Sequence, residues 1–357
     1  MVQELEGYRG ARLLWDVAET MPRAHQQRMA LEYWNRRTSG VWVTALPSPD
    51  TSLSNPQFAE VAARFFGLPS PACRHVVGRS VAGKKKTSGA QRGQPWLVDA
   101  YGSVFSSCIV GDGYRDRHDA VKWALSSVMR WARIPHSVEA FGLFADVIPQ
   151  LGWDQLNSHR KKQGAVPDFH VRGCVQMLAE LKVIGCCSSH YPAAAGDVYD
   201  TPVEKRASKI PAEIEDNLRK IDSPDGAVVA RLHSLGRVRG LVVGAFGECS
   251  PDLLHLMDRM AKARLGGSLN GPGGSGAVTY VRKRVGVAAV RAQADLILAG
   301  VQFCGPGGGT AYARRHDAKQ RYLESNAAVR ADFNVRYERT HASVDGAAES
   351  RSFRFNQ

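Results

Sequence analysis

The sequence predicts an α/β protein in which a central mixed sheet is flanked by helices, with helical N-terminal and C-terminal extensions to this core. Two observations lead to this fold class. Short apolar stretches typical of β-strands follow an amphipathic helical stretch over residues 116–133, and more follow a second helical stretch over 203–221. The composition, with 44% hydrophobic and 23% charged residues in a chain of 357, suits a globular protein with a sizeable core.

The N-terminal region, residues 1–109, is predicted to be mainly helical. Residues 58–66 place apolar side chains at helical spacing. A polar, basic stretch over 83–94 has the composition of a mobile loop or linker. The run of three lysines at 84–86 fits a DNA-contacting loop, a localisation signal or a plain solvated loop equally well.

The predicted core spans residues 110–262. Its first helix, over 116–133, has one apolar side, and Pro135 follows shortly after its end. Three strand candidates come next along the chain, at 137–148 (strand and turn), 163–171 and 177–184.

The second half of the core begins with the helix over 203–221. Residues 227–232 and 238–246 are predicted to be two further strands, because both are apolar and rich in valine and a turn-like segment parts them. Ser250, a good N-cap, and Pro251, at the tolerated first position, then favour the start of another helix.

The C-terminal region, residues 263–357, is predicted to combine a linker, a helix and a tail. Residues 266–276 are Gly-rich and should form a flexible loop, whereas 278–301 return to apolar, helical spacing. From residue 305 the chain is Gly-rich and then charged, so we expect part of this basic tail to be disordered.

Cysteine usage and hydropathy indicate an intracellular protein. The seven cysteines lack the spacing of a disulfide framework, and the chain opens on an amphipathic stretch rather than a signal segment. No run approaches the roughly 18 apolar residues of a membrane span. We therefore expect a reducing compartment, with the nucleus compatible, and no membrane partner.

The charge balance favours a polyanionic partner. Lysine and arginine total 47 against 34 acidic residues, a formal net charge of +13. Basic side chains that neutralise phosphates release condensed counterions, which favours binding to nucleic acid. A basic protein with a merely solvated surface is the other interpretation.

Two carboxylates and one ammonium are predicted to converge in a hairpin. Val-Pro-Asp ends at Asp168, and Ala-Glu-Leu-Lys-Val-Ile contains Glu180 and Lys182. Side chains alternate between the faces of a strand, so Glu180 and Lys182 share a face. Arg172-Gly173 suits a turn, and the resulting hairpin would bring Asp168 beside them.

This trio suits phosphodiester hydrolysis. Asp168 and Glu180 can bind Mg²⁺ or Mn²⁺, hard cations that prefer oxygen ligands, and the carbonyl of Leu181 can add a further ligand. Lys182 can orient or activate the attacking water and stabilise negative charge. The structural alternative is a Pro-Asp turn and a surface Glu-x-Lys ion pair of little energetic value.

The pattern resembles the PD-(D/E)xK, or restriction-endonuclease-like, nuclease superfamily over residues 110–260. Asp168 matches the aspartate of the family's PD element, and Glu180 and Lys182 match its E-x-K. The resemblance implies a core of one helix, three strands, a helix and a strand, with Mg²⁺-dependent cleavage of DNA. In several members a further acidic residue comes from the first helix or strand, and Asp119 and Glu139 are the candidates here.

A looser resemblance links the chain to the restriction-like endonuclease region of non-LTR retrotransposon proteins, which nicks target DNA. It rests on residues 39–47, on Phe-Gly-Leu-Pro at 66–69 and on Arg-His-Asp-Ala-Val at 117–121. The family's zinc knuckle is reduced here, which puts zinc binding in doubt, and these 357 residues do not include a reverse transcriptase. The remaining candidate zinc ligands are Cys73, His75 and Cys108.

Basic residues flank the proposed site in sequence and form a candidate nucleic-acid-binding face. His118 is a candidate contact to the scissile phosphate or simply an exposed histidine at a helix start. The basic set comprises Arg115, Arg117, Lys122, Arg160, Lys161 and Lys162.

Two other functions stay open from the sequence. A junction- or flap-resolving nuclease would share this chemistry, and a catalytically silent nucleic-acid-binding module would share the basic face. DNA is the expected partner and RNA is not excluded. Many enzymes with this core cut duplexes as dimers, so the resemblance also leaves a homodimer open.

Overall fold

The computed structural model describes twelve stretches of the chain, and its organisation is mixed α/β. A four-stranded mixed sheet carries packed helices, and a small two-stranded sheet lies apart from it in the sequence. The predicted helices before residue 40, the tail after residue 304 and the basic triplet at 160–162 lie outside the described residues. The described residues are 40–86, 92–107, 113–139, 143–144, 147–148, 166–173, 176–186, 190–191, 202–221, 226–236, 238–267 and 273–304.

Seven α-helices and six strands are found among the described residues. The strands are β1 (Ser80–Lys85), β2 (Pro95–Leu97), β3 (His136–Val138), β4 (Phe169–Val171), β5 (Met177–Val183) and β6 (Val238–Val243). The α-helices are α1 (Asn55–Phe65), α2 (Ser103–Ser107), α3 (Gly113–Trp131), α4 (Pro202–Arg219), α5 (Ala227–Leu235), α6 (Pro251–Arg264) and α7 (Gly274–Val301). Short 3-10 helices cover Ala72–His75 and Gln302–Cys304.

The four-stranded sheet has the order β3-β4-β5-β6. Its first three strands are antiparallel neighbours, and Phe169 of β4 pairs with Ala179 of β5. The last pair is parallel, with Glu180 opposite Gly240. A parallel pair needs a long crossover, which here contains α4 and α5. Strand β5 is therefore interior to the sheet, and its residues are shielded from both sides.

Separate apolar clusters cover the two faces of the sheet. Ala179, Leu181 and Val183 belong to a cluster formed with α3, α6 and α7. Leu178 belongs to a second cluster, formed with α4 and α5 on the opposite face. Because side chains alternate along a strand, Glu180 and Lys182 lie on the α4 side of the sheet. An acid and a base therefore occupy positions in β5 where a buried strand would ordinarily carry apolar residues.

The strand predicted at 227–232 is wrong, because this segment is part of helix α5. Val228, Val229 and Leu232 are its buried residues, a spacing that fits a helix packed on α4. Valine-rich runs favour strands only weakly, and tertiary packing overrides that preference here. The basic stretch at 83–94 also differs from the prediction, because its beginning belongs to β1, which pairs with β2 in a hairpin.

Helix α7 lies along α3 and also contacts α1 and α6. By length and composition, the segment Gly274–Cys304 is the one candidate membrane span among the described residues. Of its most apolar 18-residue window, 61% is buried inside the protein, as in the core helix of a globular fold. Gln293 of α7 donates to the carbonyl oxygen of Ile184 at 3.0 Å, so this helix also supports the end of β5.

Gly240 of β6 sets the distance between the sheet and α4. A Cβ atom at this position would lie 2.5 Å from the backbone carbonyl oxygen of Ala207 in α4. We expect Gly240→Ala to lower the free energy of unfolding by about 1–3 kcal/mol, because backbone must move to relieve the overlap. Urea denaturation measures this change.

Gly276→Ala is the matched control, because it also adds one methyl group to a glycine within a regular element. Position 276 lies in α7, and a Cβ atom added there would have no heavy atom within 4 Å outside its own helical turn. This substitution should stabilise by about 0.5–1 kcal/mol through the lower chain entropy of alanine. Equal unfolding free energies for the two variants would contradict the proposed close approach at Gly240.

Candidate active site

Strands β4 and β5 separate at Asp168, and its carboxylate fills the gap. The last pair between them is Phe169 with Ala179. One residue earlier, Asp168 Oδ2 accepts a hydrogen bond from the backbone N–H of Leu181 at 2.9 Å, where a neighbouring strand would otherwise provide a carbonyl. On its other side, Asp168 O accepts from the N–H of Glu139 at 3.0 Å. The aspartate is therefore fixed between β3 and β5.

Glu180 and Lys182 face the same side of β5, as strand alternation requires. Lys182 Nζ donates to Glu180 Oε1 at 2.6 Å. The Glu180 side chain is 8% exposed and that of Lys182 17% exposed, so this pair is largely withdrawn from water. Most exposed Glu-Lys pairs contribute little to folding stability. This pair instead lies on an interior strand, beside the carboxylate of Asp168.

His118 of α3 links Asp168 to a second acidic residue. Its Nε2 lies 3.2 Å from Asp168 Oδ2 and 3.2 Å from the carbonyl oxygen of Leu181. Its Nδ1 lies 3.2 Å from Asp119 Oδ1. One imidazole ring thus contacts two of the three groups that the sequence suggested as metal ligands, together with Asp119.

Lys122 connects the two further acidic candidates, Asp119 and Glu139. Its Nζ lies 2.9 Å from Asp119 Oδ1 and 2.6 Å from Glu139 Oε1. Glu139 follows β3 with φ of 51°, a left-handed conformation that is uncommon for a residue other than glycine. Asp168, Asp119 and Glu139 therefore belong to one network of contacts through His118 and Lys122. The Glu180–Lys182 pair lies within electrostatic reach of Asp168, and we refer to the two groups together as the cluster.

The carboxylates in this cluster have divergent acidities. Burial raises the pKa of Asp168, but hydrogen bonding to His118, the charge of His118 and the N–H of Leu181 outweigh it and lower the pKa overall. Burial and the charge of Asp168 raise the pKa of Glu180, against the opposing effect of Lys182. Burial lowers the pKa of Lys182, but Glu180 and Asp168 raise it overall, so the amine is protonated at neutral pH.

Two neighbouring carboxylates whose charges repel each other form a suitable site for a hard cation. Asp168, Glu180 and the Leu181 carbonyl offer oxygen atoms only, the donors that Mg²⁺ prefers, and Mg²⁺ is often held by just one or two carboxylates. No group of three or more His, Cys, Asp and Glu side chains that could hold a metal occurs among the described residues. An all-oxygen donor set of this kind fits Mg²⁺ or Mn²⁺.

The basic residues predicted from the sequence occupy different environments. Arg117 is buried and donates to the carbonyl oxygen of Val183 at 2.9 Å, so it supports the end of β5. Lys122 is buried in the cluster described above, and Arg115 is half-buried on α3. The triplet Arg160, Lys161 and Lys162 lies outside the described residues.

Cys73 and His75 lie together in a 3-10 helix, and Cys108 lies outside the described residues. The thiol of Cys73 is buried, and burial raises its pKa to about 11. Since zinc binds the thiolate, this environment does not favour metal binding at Cys73.

An ion pair on α4 was not predicted from the sequence. Arg206 donates to both carboxylate oxygens of Glu213, at 2.6 and 2.8 Å. Hydrogen bonding to Arg206 lowers the pKa of Glu213 despite partial burial, and the charge of Lys182 adds to the effect. The pair therefore lies within electrostatic reach of Lys182. Its spacing of seven residues is visible in the sequence, but its proximity to β5 depends on the packing of α4.

The chain was compared with models of protein families, with characterised proteins and with solved structures, and none of the three comparisons gave a match. The function of the cluster is therefore inferred from its own geometry and chemistry.

The hydrogen bonds of His118 predict a pH-dependent stability in the metal-free protein. Burial lowers the pKa of this imidazole, but Asp119 and Asp168 outweigh burial and raise it to about 9 from an ordinary value of 6.5. The contribution of protonated His118 to the free energy of unfolding is fully present below pH 6.5. It is lost as the pH rises through about 9.

We expect His118→Gln to remove this pH dependence. Urea denaturation in EDTA across that interval should show the unmodified protein losing more stability than the variant. Because both chains share every other titrating group, the difference between them isolates His118. Parallel loss of stability in the two proteins would contradict the assignment.

Proposed function

We propose that this protein is a Mg²⁺-dependent endonuclease of the PD-(D/E)xK type that hydrolyses DNA phosphodiester bonds. The observation that carries the proposal is the meeting of Asp168, Glu180, Lys182 and the Leu181 carbonyl where β4 separates from β5. The retrotransposon-like resemblance suggests target nicking as the biological setting.

The order of elements supports a restriction-endonuclease-like core. Helix α3, strands β3, β4 and β5, helix α4 and strand β6 follow the superfamily order of helix, three strands, helix and strand. Helix α5 is an addition between the last two of these elements. The sheet order and the parallel pairing of β5 with β6 through the α4 crossover are compatible with the same core.

Asp168, Glu180 and the Leu181 carbonyl are the groups that would hold the metal. When bound, Mg²⁺ or Mn²⁺ would polarise a phosphate oxygen and lower the pKa of a coordinated water. The chain prepares this site by fixing one carboxylate between two strands and by burying the other. His118 Nε2, which lies 3.2 Å from both Asp168 Oδ2 and the Leu181 carbonyl oxygen, would give up these contacts when the cation binds.

Lys182 would act as a charged hydrogen-bond donor. Its raised pKa keeps the amine protonated, which makes it unsuited to remove a proton from water. The ammonium group can instead orient the attacking water or a non-bridging phosphate oxygen and stabilise the negative charge that develops in the transition state. Glu180 holds the amine in place through the 2.6 Å hydrogen bond.

Exposed positive charge on α4 suits a phosphate backbone. Lys205 and Lys209 are exposed on α4, the helix that carries the Arg206–Glu213 pair near Lys182. The chain as a whole has a formal net charge of +13. Binding that neutralises several phosphates would weaken steeply as salt concentration rises.

Nicking of supercoiled plasmid DNA in Mg²⁺ or in EDTA tests the proposed function. We expect nicked and linear products with Mg²⁺ or Mn²⁺ and none with EDTA. Glu180→Gln should abolish cleavage and also the increase in melting temperature on adding Mg²⁺, because a ligand that binds only the folded state stabilises it. Cleavage that persists in EDTA, or an unchanged Mg²⁺ response in Glu180→Gln, would contradict the proposal.

A further inference from the structure

We infer that Lys122 occupies the place of a second metal ion, so that the active site binds a single divalent cation. This inference rests on the proposed function and specifies its metal requirement. Four carboxylates, those of Asp119, Glu139, Asp168 and Glu180, belong to the cluster, and such a number is compatible with two ions. The ammonium group of Lys122 takes two of them.

The geometry around Lys122 is that of a cation between two ligands. Its Nζ lies 2.9 Å from Asp119 Oδ1 and 2.6 Å from Glu139 Oε1, and both distances are those of charge-assisted hydrogen bonds. The Lys122 side chain is only 3% exposed, whereas those of Asp119 and Glu139 are 35% and 37% exposed. The two carboxylates therefore turn inward to a buried ammonium, although water is accessible to both.

The backbone on both sides holds this arrangement. Asp119 and Lys122 lie one turn apart on α3, next to the buried residues Val121 and Leu125 of the same helix. Glu139 adopts the left-handed conformation with φ of 51°, and its N–H donates to Asp168 O. A strained residue that hydrogen-bonds to the proposed metal ligand suggests that the direction of the Glu139 carboxylate matters.

The charge of Lys122 reaches the proposed metal ligands. It contributes to the lowered pKa of Asp168 and opposes the rise in the pKa of His118. The pKa of Lys122 itself is raised, because the hydrogen bonds and charges of Glu139 and Asp119 outweigh its burial. A permanent positive charge at this position would offset part of the negative charge of a bound phosphate, which is one role of a second ion in two-metal nucleases.

Counting bound Mn²⁺ tests the inference independently of cleavage. Equilibrium dialysis or electron paramagnetic resonance titration should give one ion for the unmodified protein. Lys122→Met removes the charge at similar length and should give two ions, the second bound more weakly. Lys122→Gln is measured in parallel, since it keeps a polar group in this position should the methionine variant not fold. Lys209→Met, on the exposed surface of α4, should retain one ion.

A double variant identifies the ligand of the second ion. Lys122→Met combined with Glu139→Gln should return to one ion, because Asp119 alone provides a single carboxylate. Two ions in the unmodified protein, or one ion in both the Met and Gln variants, would overturn the inference.

The result also separates this inference from the proposed function. Two ions in the unmodified protein together with Mg²⁺-dependent cleavage would refute the inference and leave the nuclease activity standing, whereas no ion in the unmodified protein would refute both. One ion in the unmodified protein and two in the variant, without any cleavage, would support the inference and refute the nuclease activity.

Discussion

Asp168→Asn is expected to reduce Mg²⁺-dependent nicking by about 10³-fold or more, equivalent to about 4 kcal/mol of transition-state stabilisation. Asparagine keeps an oxygen that can accept the hydrogen bond from the N–H of Leu181, so the local backbone should hold. The charge that attracts the metal is lost, and so is the charge that helps raise the pKa of Glu180. Single-turnover nicking of supercoiled plasmid measures the effect.

Asp216→Asn is the control for this substitution. Asp216 is an exposed carboxylate on α4 that lies 3.9 Å from the guanidinium group of Arg219. The control should cleave at the normal rate. Asp168→Asn should still bind DNA, with similar or higher affinity, since one negative charge near the phosphates is gone. Normal cleavage by Asp168→Asn would show that the metal is held elsewhere or that the reaction does not use it.

Lys182→Ala is expected to reduce the cleavage rate by about 10²–10³-fold, the usual cost of removing one donor that stabilises developing charge. The variant also leaves Glu180 buried without its 2.6 Å hydrogen bond, so the pKa of this carboxyl should rise further. As the pH is lowered, we therefore expect the variant to lose its remaining activity sooner than the unmodified protein does. The midpoint of this acidic loss should lie at a higher pH in the variant. A rate–pH profile under single-turnover conditions measures both effects.

Lys209→Ala removes an exposed lysine from α4 and serves as the matched control. It should weaken DNA binding modestly, with no change in the cleavage rate of bound DNA. If the two alanine variants instead lose only affinity, and by equal amounts, Lys182 is one phosphate contact among several and has no special place in the reaction.

Local sequence patterns were sufficient to predict several parts of the site. The helix at 116–133 follows from apolar spacing and corresponds to α3 with bounds shifted by a few residues. The shared face of Glu180 and Lys182 follows from the two-residue period of a strand. These features depend only on neighbours in sequence, and the expected mixed α/β class depended on little more.

Other parts depended on contacts between distant segments. Lys122 and Glu139 are 17 residues apart in sequence, and neither spacing nor composition indicates that they form an ion pair. The valine-rich segment at 227–232 has the local preferences of a strand, but its packing on α4 makes it helical. The pairing of His118 with Asp168, 50 residues away, likewise depends on how α3 lies across the sheet.

By itself, the sequence determined which residues carry the proposed chemistry, since an acid and a base two positions apart on one strand must share a face and a net charge of +13 favours a polyanion. Only the tertiary structure decided how these groups are arranged. The separation of β4 from β5 leaves the N–H of Leu181 for Asp168, and burial beside that carboxylate raises the pKa of Glu180. Both effects come from backbone groups and charges brought together by packing, and such proximity is not encoded in any local stretch of residues.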